Sequence, residues 1–214
     1  MECNMLQYQI IPVTSFQQNC SLVWCDQTND AVLIDPGGDT ELLLAAIKEK
    51  KVNLKEIWLT HGHLDHVGAS AELVKQLNIP VIGPHKDDAF LINALPKQCE
   101  MFGFSLVEDF SPDRWLDEGD MLRLGNEEFS VIYSPGHTPG HIILKHNKQK
   151  LLWVGDVIFK HSIGRTDFPR GDYQLLLTSI RSKLLSLNDD FHFIPGHGPE
   201  STIGEERLRN PFLK

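Results

Sequence analysis

At 214 residues, 41% of them hydrophobic and 23% charged, the chain is long enough for a substantial buried core and is expected to form one domain over residues 1–214. A formal net charge of −9 argues against a nucleic-acid or anionic-membrane partner, and an anionic substrate would need a local basic patch. Four cysteines without C-x-x-C spacing, a start (MECNMLQYQIIPV) with no basic-then-apolar leader, and no apolar run of spanning length predict a cytoplasmic protein with reduced thiols, most of them core filler.

In chain order, the apolar runs QYQIIPV, CSLVWC and DAVLIDPGG end in turn signals and predict three strands. A helix is expected to start near Asp39 or Thr40, either of which could cap it, with Leu43, Ala46 and Ile47 on one face. EIWLT reads as a buried strand and leads directly into THGHLDHVGAS, residues 60–70. Val67, Ala71 and Val74 follow at helical spacing, so this loop is expected to feed straight into a helix. NIPVIGP predicts another strand. MLRLGNEEFSVIYSPG predicts a hairpin turning at Gly125–Asn126, and HIILKHNKQKLLWVGD a second one. Tyr173, Leu176, Leu177, Ile180 and Leu184 mark an amphipathic helix, and FHFIPGHGP a short last strand. Strands and helices alternate early while hairpins dominate the middle, which predicts two packed sheets with helices outside.

His61, His137, Asp156 and His197 each follow an apolar β-like run, so four strand ends could deliver side chains to one rim. In His61-Gly62-His63, imidazoles two residues apart on a turning backbone can aim at one point, and Gly62 has no Cβ to obstruct the turn. Asp65 and His66 open the next helix and point a few ångströms away. Neutral imidazole and carboxylate are ordinary ligands of zinc and other first-row divalent metals. Either pair alone leaves an ion short of ligands, and His137, Asp156 and His197, each beside glycine, can complete two sites. A structural zinc site would be closed and rich in cysteine; none of these candidates is cysteine, so catalysis is favoured. A water held between two such ions is a nucleophile near neutral pH, suited to attack on a carbonyl.

THGHLDH, PGHTPGH, the GD pair at 155–156 and PGHGP, in this order, resemble the metallo-β-lactamase superfamily. The resemblance implies an α/β fold of αββα type, two mixed β-sheets packed face to face with helices outside. It implies that His61, His63 and His137 bind a first metal, that Asp65, His66 and His197 bind a second, and that Asp156 bridges them. Asp65 and Asp156 thereby enter catalysis, and Asp35 in LIDPGG is expected to orient a ligand histidine. Two divalent ions per chain are implied, zinc foremost, with iron or manganese suited to the same donors.

Fold and motif leave the substrate open: esters, thioesters, lactones, lactams and phosphodiesters all suit this chemistry. Class B β-lactamases usually carry cysteine where this chain has Asp156, and RNase Z-like nucleases add an RNA-binding arm or a basic surface. GRTDFPRGD, residues 164–172, and the tail RLRNPFLK resemble the short bacterial type II glyoxalases (hydroxyacylglutathione hydrolases). That implies hydrolysis of S-D-lactoylglutathione to D-lactate and glutathione. GRTDF also resembles persulfide dioxygenases, which bind one iron through residues matching His61, His137 and Asp156, and a lactonase of the same fold is a further alternative. The C-terminal helical substrate domain of long type II glyoxalases is not expected after His197. Lys160, Arg165 and Arg170 could supply positive charge to an anionic thioester, although Arg165 could pair with Asp167 instead. Phe168 is expected to pack, His141 to support rather than ligate, and His192 to face away from its flanking phenylalanines.

Overall fold

The computed structural model describes residues 6–214, which leaves Cys3 outside the described residues. Five strands, β1 (Leu6–Val13), β2 (Gln18–Cys25), β3 (Asp30–Ile34), β4 (Asn53–Trp58) and β5 (Val81–Ile82), pair in that order. The first two pairings are antiparallel, the last two parallel. Helices α1 (Thr40–Lys50), α2 (Leu64–Val67), α3 (Ser70–Leu77), α4 (Ala89–Ile92) and α5 (Leu95–Phe102) belong to this half of the chain. The second half supplies β6 (Met121–Leu124), β7 (Glu127–Tyr133), β8 (Ile142–His146), β9 (Leu151–Gly155), the small hairpin β10 (Ile158–Phe159) and β11 (Ser162–Ile163), then α6 (Tyr173–Ser179), β12 (His192–Pro195), β13 (Ser201–Thr202) and α7 (Ile203–Arg209). Six of these strands form a second mixed sheet in the order β13-β12-β9-β8-β7-β6, with β12 parallel to β9.

Alternation along the strands sorts the apolar residues into layers. Val23, Val32, Ile34 and Trp58 of the first sheet meet Phe129, Val131, Leu144 and Trp153 of the second, forming the core between sheets. The alternate residues Leu22, Ala31, Leu33 and Ile57 point the other way, against Leu43 of α1, Val67 of α2 and Leu73 of α3. Likewise Ile143, Leu152, Val154 and Phe193 pack on Leu176, Leu177 and Ile180 at the far side. Helix, sheet, sheet and helix therefore stack as expected, and strands covered on both faces read as continuous apolar runs. The centre of the inter-sheet core is aromatic: the Trp58 and Phe129 rings lie 5.0 Å apart, edge to face.

Several local expectations need correction. Neither Asp39 nor Thr40 caps α1 with its side chain; Asp39 Oδ2 accepts from Thr14 N, and Thr40 Oγ1 donates to Glu72. The helix expected after the histidine cluster breaks at Gly68–Ala69, where Ala69 N bonds Pro36 O and pins the chain to the loop after β3. Tyr173 is 45% exposed and off the apolar face, while Leu176, Leu177, Ile180 and Leu184 are buried; the last turn of this helix, Ile180–Leu184, widens to π geometry. Cys20, Cys25 and Cys99 are buried free thiols. His192 is exposed, as its alternation with Phe191 and Phe193 requires. Among the described residues no helix is long and apolar enough to cross a membrane.

Candidate metal centre

Strand ends from both sheets meet at one rim. Asp35 follows β3, His61 and His63 follow β4, His137 follows β7, Asp156 follows β9 and His197 follows β12. The parallel pairing of β12 with β9 slips by one residue between Ile194 and Pro195, and Gly196 N then bonds Gly155 O. This irregularity sets the residues after the two strands side by side, a common use of a bulge beside a site. A Cβ on Gly196 would run into Asp156 Oδ1 and the His66 ring, so the approach of the two loops requires glycine there.

Two donor sets result. His63 Nδ1 lies 3.1 Å from His61 Nε2 and 3.0 Å from His137 Nε2. Asp65 Oδ2 lies 3.1 Å from His197 Nε2 and 3.9 Å from His66 Nε2. Asp156 stands between the sets: Oδ1 is 3.4 Å from His66 Nε2, and Oδ2 is 3.7 Å from both His137 Nε2 and His197 Nε2. Each set places three donor atoms within 4.8 Å of one another.

Four of the five imidazoles have their tautomer fixed by an acceptor on the ring's far side. His137 Nδ1 donates to Arg165 O (2.7 Å), His197 Nδ1 to Phe16 O (3.2 Å) and His66 Nδ1 to Asp35 Oδ2 (2.9 Å). Thr60 Oγ1 donates to Asp35 Oδ2 (2.6 Å), which leaves its lone pair for His61 Nδ1 at 3.0 Å. Each of these rings therefore turns its Nε2 toward the rim, the orientation that metal-binding histidines adopt. Asp35 and His66 thus meet as expected, and Asp35 Oδ1 also accepts from Thr60 N (2.7 Å). Asp35, His61 and His66 offer a third close group of donor atoms, but both Asp35 oxygens are already spent on these bonds.

The electrostatics divide along the same line. Burial holds the His61, His63 and His137 imidazoles below the usual histidine range, His63 at about 3, so all three are neutral at pH 7. Burial acts in the same direction on His66, but Asp156, Asp65 and Asp35 outweigh it and push the ring well above that range. His197 is likewise raised, chiefly through its bond to Asp65 against the effect of burial. Burial opposes the charges of Asp65 and Asp156, yet the neighbouring imidazoles keep both carboxyls below the ordinary carboxylate range. Among the buried side-chain atoms without a partner are His66 Nε2 and Asp156 Oδ1, which face each other across this space. Buried polar atoms of this kind are normally satisfied. Three neutral imidazoles, two further imidazoles raised by the carboxylates beside them and two carboxylates form a donor set that fits divalent cations of the zinc and iron type.

Supports that sequence reasoning left aside complete the rim. His141, read as support, accepts from Asp156 N at 3.1 Å and stacks on the His61 ring at 4.6 Å. Thr60 and Asp88 were missed: their signal was only a hydroxyl beside the first histidine and an acidic pair (Asp87, Asp88) in a segment without a motif. The three basic candidates do not converge on the centre. Lys160 is exposed, the Arg170 guanidinium stacks on Phe90 at 4.2 Å, and Arg165 makes a bidentate pair with Asp167 (2.6 and 2.6 Å). Arg165 reaches the centre through its main-chain carbonyl, and its guanidinium lies 4.3 Å above Phe168. Phe168 packs edge-on against His63 at 5.0 Å, beginning an aromatic wall that continues through Phe102 to Phe16 and Phe104. A groove of about 1150 Å³ between α1, α3 and residues 104–108 is lined by none of the seven donors.

The sequence model of the metallo-β-lactamase superfamily matches residues 13–197. The chain belongs to that superfamily. It is a metallohydrolase of this fold with a histidine–aspartate metal-binding cluster. The hydroxyacylglutathione hydrolase GloC of Haemophilus influenzae is 51% identical over 209 residues, covering 97% of this chain and 98% of that one. The crystal structure of BLEG-1, a B3 metallo-β-lactamase, superimposes with a TM-score of 0.89 at 37% identity, over 97% of this chain and 99% of that one. TTHA1623, solved in a di-iron-bound form, gives 0.87 at 37% identity, over 96% of this chain and all of the other. One superfamily fold thus carries differently named activities among these relatives, so the fold alone does not choose the substrate.

Proposed function

We propose that the chain is a single-domain, cytoplasmic type II glyoxalase that hydrolyses S-D-lactoylglutathione to D-lactate and glutathione with two bound divalent cations, zinc foremost and iron or manganese next. The observation that carries the reading is the 51% identity, over nearly the whole chain, to a hydroxyacylglutathione hydrolase. The two three-donor sets flanking Asp156 support the cation pair. The di-iron form of a relative at 37% identity keeps iron among the candidates.

His61, His63 and His137 would hold one cation and Asp65, His66 and His197 the other, with Asp156 within reach of both. Bound cations supply a deprotonated water near neutral pH and a positive charge for a carbonyl oxygen. The chain's own residues do the rest. Neutral imidazoles offer lone pairs without a proton to lose, and the lowered Asp65 and Asp156 carboxyls remain ionised acceptors at working pH. Asp35 and the Arg165 and Phe16 carbonyls keep the rings from turning. Phe168 shields the His63 side from water, and Arg165, whose guanidinium lies 4.3 Å above Phe168, gives a glutathione moiety a positive neighbour beside the rim. One water is consumed as the C–S bond is replaced by a C–O bond, and the thiol leaves with the proton.

A screen of S-D-lactoylglutathione, a lactone, a lactam and glutathione persulfide, run with metal analysis, tests the reading. About two metals per chain with thioester turnover is the expected result. The GRTDF run favours one rival, a persulfide dioxygenase with a single iron; oxygen uptake on glutathione persulfide at one iron per chain would sink the proposal. Lactone turnover without thioester turnover would also overturn it.

A further inference from the structure

Asp88 is fully buried, yet it belongs to none of the metal motifs. It stands at the N-terminal end of α4, where an aspartate ordinarily accepts from its own helix, but its side chain makes no such bond. Its carboxylate instead faces two loops. Oδ2 accepts from Gly62 N (2.9 Å) and Thr138 Oγ1 (2.7 Å), and Oδ1 accepts from Gly140 N (2.6 Å). Gly62 is the middle of His61-Gly62-His63, and Thr138 follows His137. One carboxylate therefore joins the loop after β4 of the first sheet to the loop after β7 of the second.

The packing is as close as the hydrogen bonding. A Cβ on Gly62 would lie 2.9 Å from Leu91 Cβ and 3.1 Å from Asp88 O, and one on Gly140 would lie 2.7 Å from Asp88 Oδ1. His85 N also bonds Gly140 O at 3.1 Å. On the same side Gln98 accepts from Leu64 N and donates to Leu91 O, steadying the chain just past His63. Asp88 touches no donor side chain; it acts through the backbone that carries them.

The geometry points to Asp88 as the positioning residue of the three-histidine set: by clamping the His61–His63 turn to the His137 turn, it sets the spacing of three imidazoles that come from two different sheets. The inference rests on the reading that those three histidines hold a cation. All three acceptor bonds need a carboxylate. Asparagine can keep the Gly62 and Thr138 bonds on its oxygen, but it then sets an NH2 group against Gly140 N–H.

The test is zinc release from the Zn2+-loaded full chain to a chromophoric chelator, with Co2+-substituted chain giving the absorption bands of each ion. D88N and D88A should lower the affinity of one zinc equivalent, roughly 10- to 100-fold as for other supports of metal ligands. The Co2+ bands of that ion should shift while the second equivalent keeps its wild-type affinity. T138A, which removes one bond of three, should fall between wild type and D88N, and T138S, which keeps the hydroxyl, should recover the wild-type value. If D88A fails to fold, as melting of the metal-free chain would reveal, D88N and T138A decide the matter. D88N and T138A holding both equivalents at wild-type affinity would overturn the clamp. H63A serves as the reference: if it too keeps both equivalents, the cation reading itself fails, whereas loss of one in H63A but none in D88N overturns Asp88 alone.

Discussion

Asp35 and His66 are joined by a 2.9 Å hydrogen bond from Nδ1 to Oδ2, and the same carboxylate holds Thr60 by its amide and its hydroxyl. Asp35 adopts φ +53°, a left-handed conformation that aspartate tolerates better than most residues. Replacing it with alanine strands several buried donors, each costing roughly 1–3 kcal/mol. D35A is expected to lose about 2–4 kcal/mol in urea unfolding of the metal-free chain, on the same basis. D35N should keep more of that stability, yet lose zinc affinity, because one oxygen cannot replace two and its NH2 would face either Thr60 N–H or His66 Nδ1–H. Wild-type zinc affinity in D35N would count against the orienting role.

Asp156 is the side chain shared by both donor sets. D156A should lose metal and thioester turnover together, measured by elemental analysis and steady-state assay of one preparation. A fully active, metal-replete D156A would refute the bridging role.

Arg165 separates two contributions of one residue. Its carbonyl fixes His137 and survives substitution, whereas its guanidinium is exposed and tied to Asp167. R165A should therefore keep its full metal content and much of its kcat, while KM for an anionic glutathione thioester rises several-fold. Loss of metal in R165A would show that the side chain supports the loop rather than the substrate.

The Phe129 ring sits between Trp58 at 5.0 Å and Trp153 at 5.8 Å in the inter-sheet core. F129A should cost roughly 3–5 kcal/mol, the range for deleting a buried aromatic ring. Urea unfolding with an unchanged m-value would show that the loss is one of packing and not of native compactness.

Away from the rim, Glu127 is buried with its carboxylate 2.9 Å from both His146 Nε2 and Lys148 Nζ. Burial opposes its charge, but those two partners prevail and hold the carboxyl below the usual glutamate range. Its charged form therefore contributes stability above the unfolded pKa of about 4.3 and loses it as pH falls through the lower folded value. Burial lowers the His146 pKa as well, so the unfolded chain binds that proton more readily, and stability starts to fall below about pH 6.5. E127Q should remove the lower part of this acid dependence, so the stability difference between wild type and variant shrinks as pH falls below about 4.3. A constant difference from pH 7 to pH 3 would contradict the assignment.

The meeting of His61, His63, Asp65, His66, His137, Asp156, His197 and Asp35 at one rim was legible because a polar, glycine-flanked residue after an apolar run has few structural uses, and this chain repeats that pattern strand after strand. The layers were legible through the alternation of residues such as Val32 and Leu33, whose side chains fill different cores. Asp88 and Gln98 were not, since their partners are main-chain groups distant in sequence and no spacing rule connects them. The helix break at Gly68–Ala69 was hidden for a related reason: Val67, Ala71 and Val74 keep a helical period while Pro36, from another loop, interrupts the helix. Tyr173 fits the apolar period and still faces solvent, because the buried stripe of this helix begins only at Leu176.

The rim draws His61 and His63 from the loop after β4, Asp65 and His66 from the α2 turn that follows it, and His137, Asp156 and His197 from the loops of the other sheet. No single supersecondary unit contains a complete donor set of both kinds. Bringing such distant segments together carries a chain-closure cost that is met only when the sheets dock, and contacts of this range form slowly. The nascent chain is therefore a poor metal trap, and competence to bind arrives with the tertiary fold. On the two-cation reading, bound cations would tie the two halves of the sandwich together and slow its opening, so metal starvation should expose the chain to proteolysis first where the sheets part at this edge.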